Sequence, residues 1–328
     1  MSKNIRWGII GIGKIAIKFA KDLQTVPNAT LVAVASNSIE RASEFAKDFN
    51  VANAYGSYEE IFKTPLDVIY IATPHTDHAR CTLLCLENKV GVLCEKPFAM
   101  NLKEVEQMIA KAKETNTFLM EALWTRFLPS TLKALEIIKA GTIGEIKTIN
   151  ADFGFIAPFV PDRRVWNPEL GGGAFLDIGI YPAFLSLLLL GYPTDIKATT
   201  IKGETGADET TTFLYKYGNK ATASLNCTFM ASTNTEALIY GTKGYIRIPK
   251  RFHEALELSV HLESGETEKF EFPRETFGYD FEAVEVGNCI TNGQIQSDSW
   301  SWENSISLIK LLDATRKEAG IVYPHDQA

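Results

Sequence analysis

Up to about residue 120 the chain alternates two rhythms. Short β-branched apolar runs fall at residues 5–10, 31–35, 68–72, 90–94 and 117–120, with helical periodicity at 15–25, 39–49, 77–88 and 102–115 between them. Parallel strands need a long crossover, and a helix between successive strands supplies one. The alternation predicts an α/β domain built on a doubly wound parallel sheet.

A helical segment at 130–139 ends that rhythm. From Glu145 onward come Thr-, Val-, Ile- and Tyr-rich runs with hairpin punctuation, such as "TTFLYKYGNKATASLNCTF" around Gly218-Asn219 and "LSVHLESGETEKFEF" around Ser264-Gly265. These predict a largely antiparallel sheet. Helical stretches at 281–291 and 301–319 close the chain, with Gly320 placed as a C-cap. The expected division is residues 1–122 as the doubly wound α/β domain and 123–328 as an α+β domain. A chain of 328 residues can fill two cores.

The net charge of −7 gives no general attraction to nucleic acid or anionic membrane. The 5 cysteines are odd in number and lack Cys-x-x-Cys spacing, which suits a reducing compartment. "MSKNIRWGIIG" enters a strand at once, leaving no room for a signal peptide. The apolar stretch 178–191 is interrupted by Pro182 and is shorter than the ~20 residues a membrane span needs, so a buried helix is expected. A cytoplasmic protein follows from these readings.

The first strand runs into "GIIGIGKIAIKFA", where Gly11, Gly13 and Ala16 give G-x-G-x-x-A between strand and helix. In that setting the glycines permit a tight turn and close approach of a pyrophosphate to the backbone of Ile12, Gly13, Lys14 and Ile15. The second strand ends at Ser36, Asn37 and Ser38, where an NAD site usually carries an acid; Glu40 comes too late and Arg41 is near. NADP is therefore the expected cofactor, with NAD as the alternative.

Ligands of an open parallel sheet bind outside the carboxyl ends of its strands. Those ends hold Thr73, Pro74, His75 and His78, then Glu95 and Lys96 before Pro97, then Trp124, Arg126 and Phe127. The two histidines suit a polar loop and a helix N-terminus as well as a cofactor contact. Trp124, Arg126 and Phe127 suit packing as well as substrate. No His/Cys/Asp/Glu cluster has metal-ligand spacing, and no metal is expected.

Farther on, "ELGGGAFLDIGIYPAF" places Asp177 and Tyr181 four apart, on one face if helical. Pro182 must then sit in a first turn or kink the helix. A buried tyrosine and a helix-terminal aspartate would satisfy this pattern without any catalytic role.

"GIIGIGKIA", "YIATPHTDHA", "VLCEKPFAMN" and "GGGAFLDIGIYP" together resemble, in order and spacing, the glucose–fructose oxidoreductase/inositol dehydrogenase (Gfo/Idh/MocA) family. "MEALWTRFLP", "GTKGYIRIP" and "AGIVYP" resemble its branch of dimeric dihydrodiol dehydrogenases and NADP-dependent sugar dehydrogenases. The resemblance implies a Rossmann domain followed by a large open mixed sheet whose exposed face forms a homodimer. It implies hydride exchange between NAD(P) and a carbinol carbon of a sugar, polyol or dihydrodiol. Position by position, Lys96 and Tyr181 match the catalytic pair and Asp177 its support. Trp124, Phe127, Phe155 and Trp166 then offer aromatic faces to the substrate. Two features depart from common patterns: many members have histidine at Tyr181, and NADP-using relatives commonly carry arginine where this chain has Asn37.

A free tyrosine, with pKa ~10, is a poor base near neutrality, and a nearby ammonium favours its phenolate. Tyr181 is thus expected as acid/base with Lys96 tuning it, though Lys96 relaying the proton itself fits too. An inert NAD(P)-binding sensor or corepressor on the same fold is the alternative, and it would need neither residue.

Overall fold

The computed structural model describes residues 4–327. They form two compact units: residues up to Phe127 with Glu275–Ile306, and Leu128–Arg274 with the residues from Ser307 on.

In the first unit six parallel strands, β1 (Ile5–Ile10), β2 (Ala29–Ala35), β3 (Asn53–Tyr55), β4 (Val68–Ile71), β5 (Gly91–Glu95) and β6 (Leu119–Ala122), lie in the order β3-β2-β1-β4-β5-β6. The order reverses at β1, the topological switch point where such sheets bind ligands. Helices α1 (Lys14–Leu23), α2 (Ile39–Asp48), α3 (His78–Glu87) and α4 (Leu102–Thr115) make the crossovers. Strands β4, β5 and β6 are buried at every position, as expected of a sheet covered on both faces. β3 was not foreseen: "NAY" is too short to show a period, and only pairing to β2 makes it a strand.

The single cut after residue 122 does not describe these units, because residues 275–306 return to the first. Asp22 on α1 is buried and accepts the Phe277 and Tyr279 N–H groups at 3.0 and 2.9 Å. The Trp302 indole donates to the Leu119 carbonyl at 2.9 Å. These long-range bonds leave no mark in local sequence pattern.

The second unit carries an eight-stranded sheet. Its strands are β7 (Ile146–Gly154), β8 (Asp195–Lys202), β9 (Asp208–Tyr217), β10 (Ala221–Thr228), β11 (Ala237–Gly241), β12 (Gly244–Ile248), β13 (Glu257–Leu262) and β14 (Thr267–Glu271). They lie in the order β14-β13-β12-β11-β7-β10-β9-β8. The β7–β10 pair is parallel and the rest are antiparallel, giving the mixed, mostly antiparallel sheet. Gly218, at φ +59°, and Gly265, at φ +92°, supply the left-handed residues of the two hairpins.

Helix α5 (Pro129–Lys139) opens this unit, and α6 (Ile180–Leu190) packs on β7 and β10. In the first unit α7 (Asp280–Thr291) follows, and α8 (Trp302–Ala319) carries the chain into the second. The apolar stretch read as too short to span a membrane lies in a longer helical segment, Pro168–Leu190, which is long and apolar enough to cross one; its best 18-residue window has mean hydropathy 1.8, and 72% of that window is buried inside the protein.

Candidate functional site

Each unit holds part of the candidate machinery. In the first, Gly11 stands at φ +86°, and a Cβ there would lie 2.7 Å from the Ala72 carbonyl carbon. Only glycine fits. Gly13 caps α1 without a side-chain hydrogen bond, and a Cβ on it would meet nothing within 4 Å. The loop backbone is thus open toward the N–H groups of α1, whose first turn has no acidic residue. Ala16, in the third glycine position, is fully buried, while Lys14 is exposed and Ile12 and Ile15 are half-buried.

At the end of β2, Ser36 is buried and Asn37 is exposed. Ser38 caps α2, accepting the Arg41 N–H at 3.3 Å while its hydroxyl donates to Glu40 at 2.7 Å. That bond holds the Glu40 carboxyl below its usual range. The Arg41 side chain is exposed one turn into the helix. Residues 36–38 at this end of the strand carry no carboxylate.

Thr73 and Pro74 follow β4, and His75–Asp77 form a 3₁₀ turn leading into α3. His78 is fully buried, with Nδ1 2.8 Å from the Pro97 carbonyl and Nε2 3.1 Å from the Thr73 carbonyl. It ties the loop after β4 to the loop after β5. His75 is also buried, its ring 5.7 Å from that of His78.

The expected placement of Lys96 holds within this unit: it directly follows β5, half-buried, and its peptide bond to Pro97 is cis. Glu95 turns back beneath it. One Glu95 oxygen accepts the Tyr70 hydroxyl, and the other accepts the Lys96 N–H at 3.1 Å. Burial raises the Glu121 carboxyl to about 7, although it accepts the Phe98 N–H and the Trp300 indole, each at 3.1 Å.

After β6, residues Trp124–Phe127 form a 3₁₀ turn. Trp124 stacks on Tyr279 at 4.6 Å, and Phe127 is buried. The Arg126 Nη1 is buried with no hydrogen-bond partner among the described residues. Burial lowers its pKa, opposed by Glu285. A buried guanidinium nitrogen without an acceptor fits a polar group of a bound ligand.

In the second unit, Phe175–Gly179 form a π turn that passes into α6. The Asp177/Tyr181 spacing therefore spans a π-to-α junction, not one regular helix. Starting α6 at Ile180 leaves Pro182 in its first turn, where the missing N–H costs nothing. Asp177 accepts from Arg164 at 2.9 Å.

Tyr181 is 5% exposed and opens a row of rings. Phe153 lies 5.7 Å from it, Phe155 6.3 Å from Phe153, and Phe229 5.3 Å from Phe155. Trp166 follows at 5.5 Å from Phe229 and Phe159 at 5.3 Å from Trp166. His253, buried, stacks on Phe153 at 4.2 Å and lies 4.8 Å from the Tyr181 ring. At the far end a cavity of about 210 Å³ is lined by Ile156, Phe159, Trp166, Glu209, Phe229 and Met230.

Sequence reasoning missed Phe153, Arg164, His253 and Tyr279. The alternation of β7 was the one signal available, and it marks Phe153 as inward-facing. His253 comes from a short turn after β12 that carries no motif.

A glycine loop at the switch point of a doubly wound sheet, open at the head of α1, defines a dinucleotide-binding domain. The family described as an oxidoreductase family with an NAD-binding Rossmann fold matches residues 5–123, and the GFO/IDH/MocA C-terminal domain matches residues 131–247. The chain belongs to the GFO/IDH/MocA family and is an NAD(P)-dependent oxidoreductase.

It is 38% identical to trans-1,2-dihydrobenzene-1,2-diol dehydrogenase of Danio rerio over 98% of this chain and 99% of that one. To the Homo sapiens enzyme of the same name it is 35% identical, over 98% and 99%. A tyrosine-to-phenylalanine mutant of a 3-ketoreductase from Actinomadura kijaniata, in complex with TDP-benzene and NADP, superposes with a TM-score of 0.87. That pair is 25% identical, over 97% of this chain and 98% of the other.

Proposed function

We propose that the protein oxidises a CH–OH carbon of a ring-shaped dihydrodiol or sugar with NADP, Tyr181 and Lys96 handling the proton. The observation that carries this reading is the row of rings that leads from buried Tyr181 through Phe153 to the exposed ring of Phe155, with a cavity lined by exposed Ile156 and Phe159 at its far end. Aromatic faces suit a cyclic diol and the apolar face of a sugar alike. The relatives' names, dihydrodiol dehydrogenase and 3-ketoreductase, point to the same carbinol–carbonyl chemistry.

NADP, when bound, accepts the hydride at its nicotinamide ring. Gly11 and Gly13 would hold its pyrophosphate near the head of α1, with Ile12 in the same loop and Lys14 and Ile15 at the start of the helix. Ser36, Asn37 and Arg41 receive the 2′-phosphate, which the absence of an acid on residues 36–38 favours. Thr73, Pro74, His75, His78, Glu95, Trp124 and Arg126 complete the cofactor side.

As the carbinol C–H bond breaks, the Tyr181 phenolate takes the hydroxyl proton and the C=O bond forms. The Lys96 ammonium favours that phenolate and stabilises the developing alkoxide. Asp177 supports the pair electrostatically. Of the aromatic residues expected at the substrate, Phe155 is exposed, while Trp124, Phe127 and Trp166 are buried.

We also infer a homodimer through the outer face of the eight-stranded sheet, where Thr212, Leu214 and Lys216 of β9 alternate with buried neighbours. A cytoplasmic location is supported by five buried cysteines without a disulfide.

The test is a screen of trans-dihydrodiols, aldoses and polyols with NADP and with NAD, followed by reduced-nicotinamide absorbance. Turnover of a cyclic diol or aldose, faster with NADP, is expected. Tight NADP binding with no turnover of any of them would instead support an inert sensor.

A further inference from the structure

The segment that carries Asp177 and Tyr181 is anchored at its head by groups that the chemistry above does not use. Asp208, at the start of β9, is 1% exposed, and its Oδ2 accepts the N–H of Phe175, the first residue of the π turn, at 2.6 Å. Its other oxygen faces Gly173. A Cβ on Gly173, which stands at φ +132°, would lie 2.0 Å from Asp208 Oδ1 and 3.2 Å from the Tyr323 hydroxyl. Those two polar atoms are buried over one glycine, and neither has a hydrogen-bond partner among the described residues. The motifs "GGG" and "AGIVYP" thus meet at this point.

The surroundings limit what the carboxylate can do. Thr211 on β9 offers its hydroxyl at 3.5 Å, and Cys227 on β10 is a buried neighbour. Arg316 on α8 is the nearby cation, held by Asp313 and by Asp326 of the C-terminal turn. The guanidinium also lies 5.1 Å from the Tyr323 ring. Burial pushes the Asp208 carboxyl up to about 7, against the pull of the Phe175 N–H, Thr211 and Arg316. A neutral cap would bond the Phe175 N–H without that cost.

We propose that Asp208 and Tyr323 are positioning residues for Tyr181. The carboxylate fixes the start of the π turn through the Phe175 N–H. The Tyr323 hydroxyl closes the space over Gly173 beside the second oxygen. Together they set the register of residues 175–181, and so the direction in which Tyr181 presents its hydroxyl. The proposal rests on the reading of Tyr181 as the acid/base.

The test compares Asp208→Asn, Tyr323→Phe and Tyr181→Phe by kcat, KM, NADPH affinity from nicotinamide fluorescence, and the pH profile of kcat. Misdirection of a reacting group costs on the order of ten- to a hundred-fold in rate. Asp208→Asn is expected to lose kcat on that scale, and Tyr323→Phe a smaller part, with KM and NADPH affinity changed less than about twofold. Because the anion is the stronger acceptor, wild-type kcat should rise through neutrality with a limb that Asp208→Asn lacks. A merely structural cap would lower the melting temperature and leave that limb in place.

Wild-type kcat and pH profile in both Asp208→Asn and Tyr323→Phe, with Tyr181→Phe inactive, would overturn this inference alone. Full turnover by Tyr181→Phe would overturn the underlying reading and this inference with it. Should Asp208→Asn fail to fold, unchanged kcat and pH profile in Tyr323→Phe still overturns the coupling.

Discussion

Glu282 on α7 is fully buried, and neither carboxylate oxygen has a hydrogen-bond partner among the described residues. Burial, reinforced by the charges of Glu95 and Asp22, pushes its pKa well above the ordinary value. An acid with a raised folded-state pKa contributes its full stability below its unfolded pKa, near 4.3, and loses it as pH rises toward the folded value. The loss is about 1.4 kcal/mol per pH unit over that window. Thermal melts of Glu282→Gln and wild type should therefore coincide near pH 4.5 and diverge as pH rises, with the variant more stable at pH 8. Parallel curves would contradict the assignment. Nothing in the sequence marked this residue, since a glutamate at the start of an amphipathic helix usually faces water. The strand-end position of Lys96 was legible because the β-branched run before it marks the end of β5, whereas the candidacy of Tyr181 rested on the family resemblance.

The turn between β2 and α2 is the proposed site of the 2′-phosphate. Asn37 is exposed there, and the Glu40 carboxylate is engaged by the Ser38 hydroxyl. An Asn37→Asp variant adds an anion where a 2′-phosphate would sit and an acceptor for a bare ribose hydroxyl. Relative kcat/KM should swing toward NAD by about tenfold or more, each decade being ~1.4 kcal/mol. An unchanged ratio would move the 2′-phosphate away from this turn. The alternating rhythm foretold nearly every helix and strand of the first sheet, because parallel pairing requires those crossovers. It did not foretell β3 or the π turn. A three-residue strand has no period to read, and a π turn departs from the 3.6-residue period that marks a helix.

At the scale of the whole molecule, the division into units was legible only in part. The change from parallel to antiparallel rhythm lies in local pattern, but the return of residues 275–306 to the first unit depends on bonds such as Asp22 to the Tyr279 N–H. The proposed dimer is also a property of this scale. Leu214 is 51% exposed on the sheet's outer face, so Leu214→Glu should shift the mass measured by light scattering from dimer toward monomer. An unaltered dimer, or a monomeric wild type, would contradict that interface. The account as a whole rests on the Lys96–Tyr181 pair. It is tested most directly by reduced-nicotinamide absorbance with a reactive cyclic diol or aldose and NADP, alongside NADPH titrations of wild type, Lys96→Met and Tyr181→Phe. Loss of an acid/base group costs about 10²–10⁴-fold. The predicted result is a fall in kcat on that scale for both variants, with Tyr181→Phe still binding NADPH as tightly as wild type. Wild-type turnover by Tyr181→Phe would contradict the account.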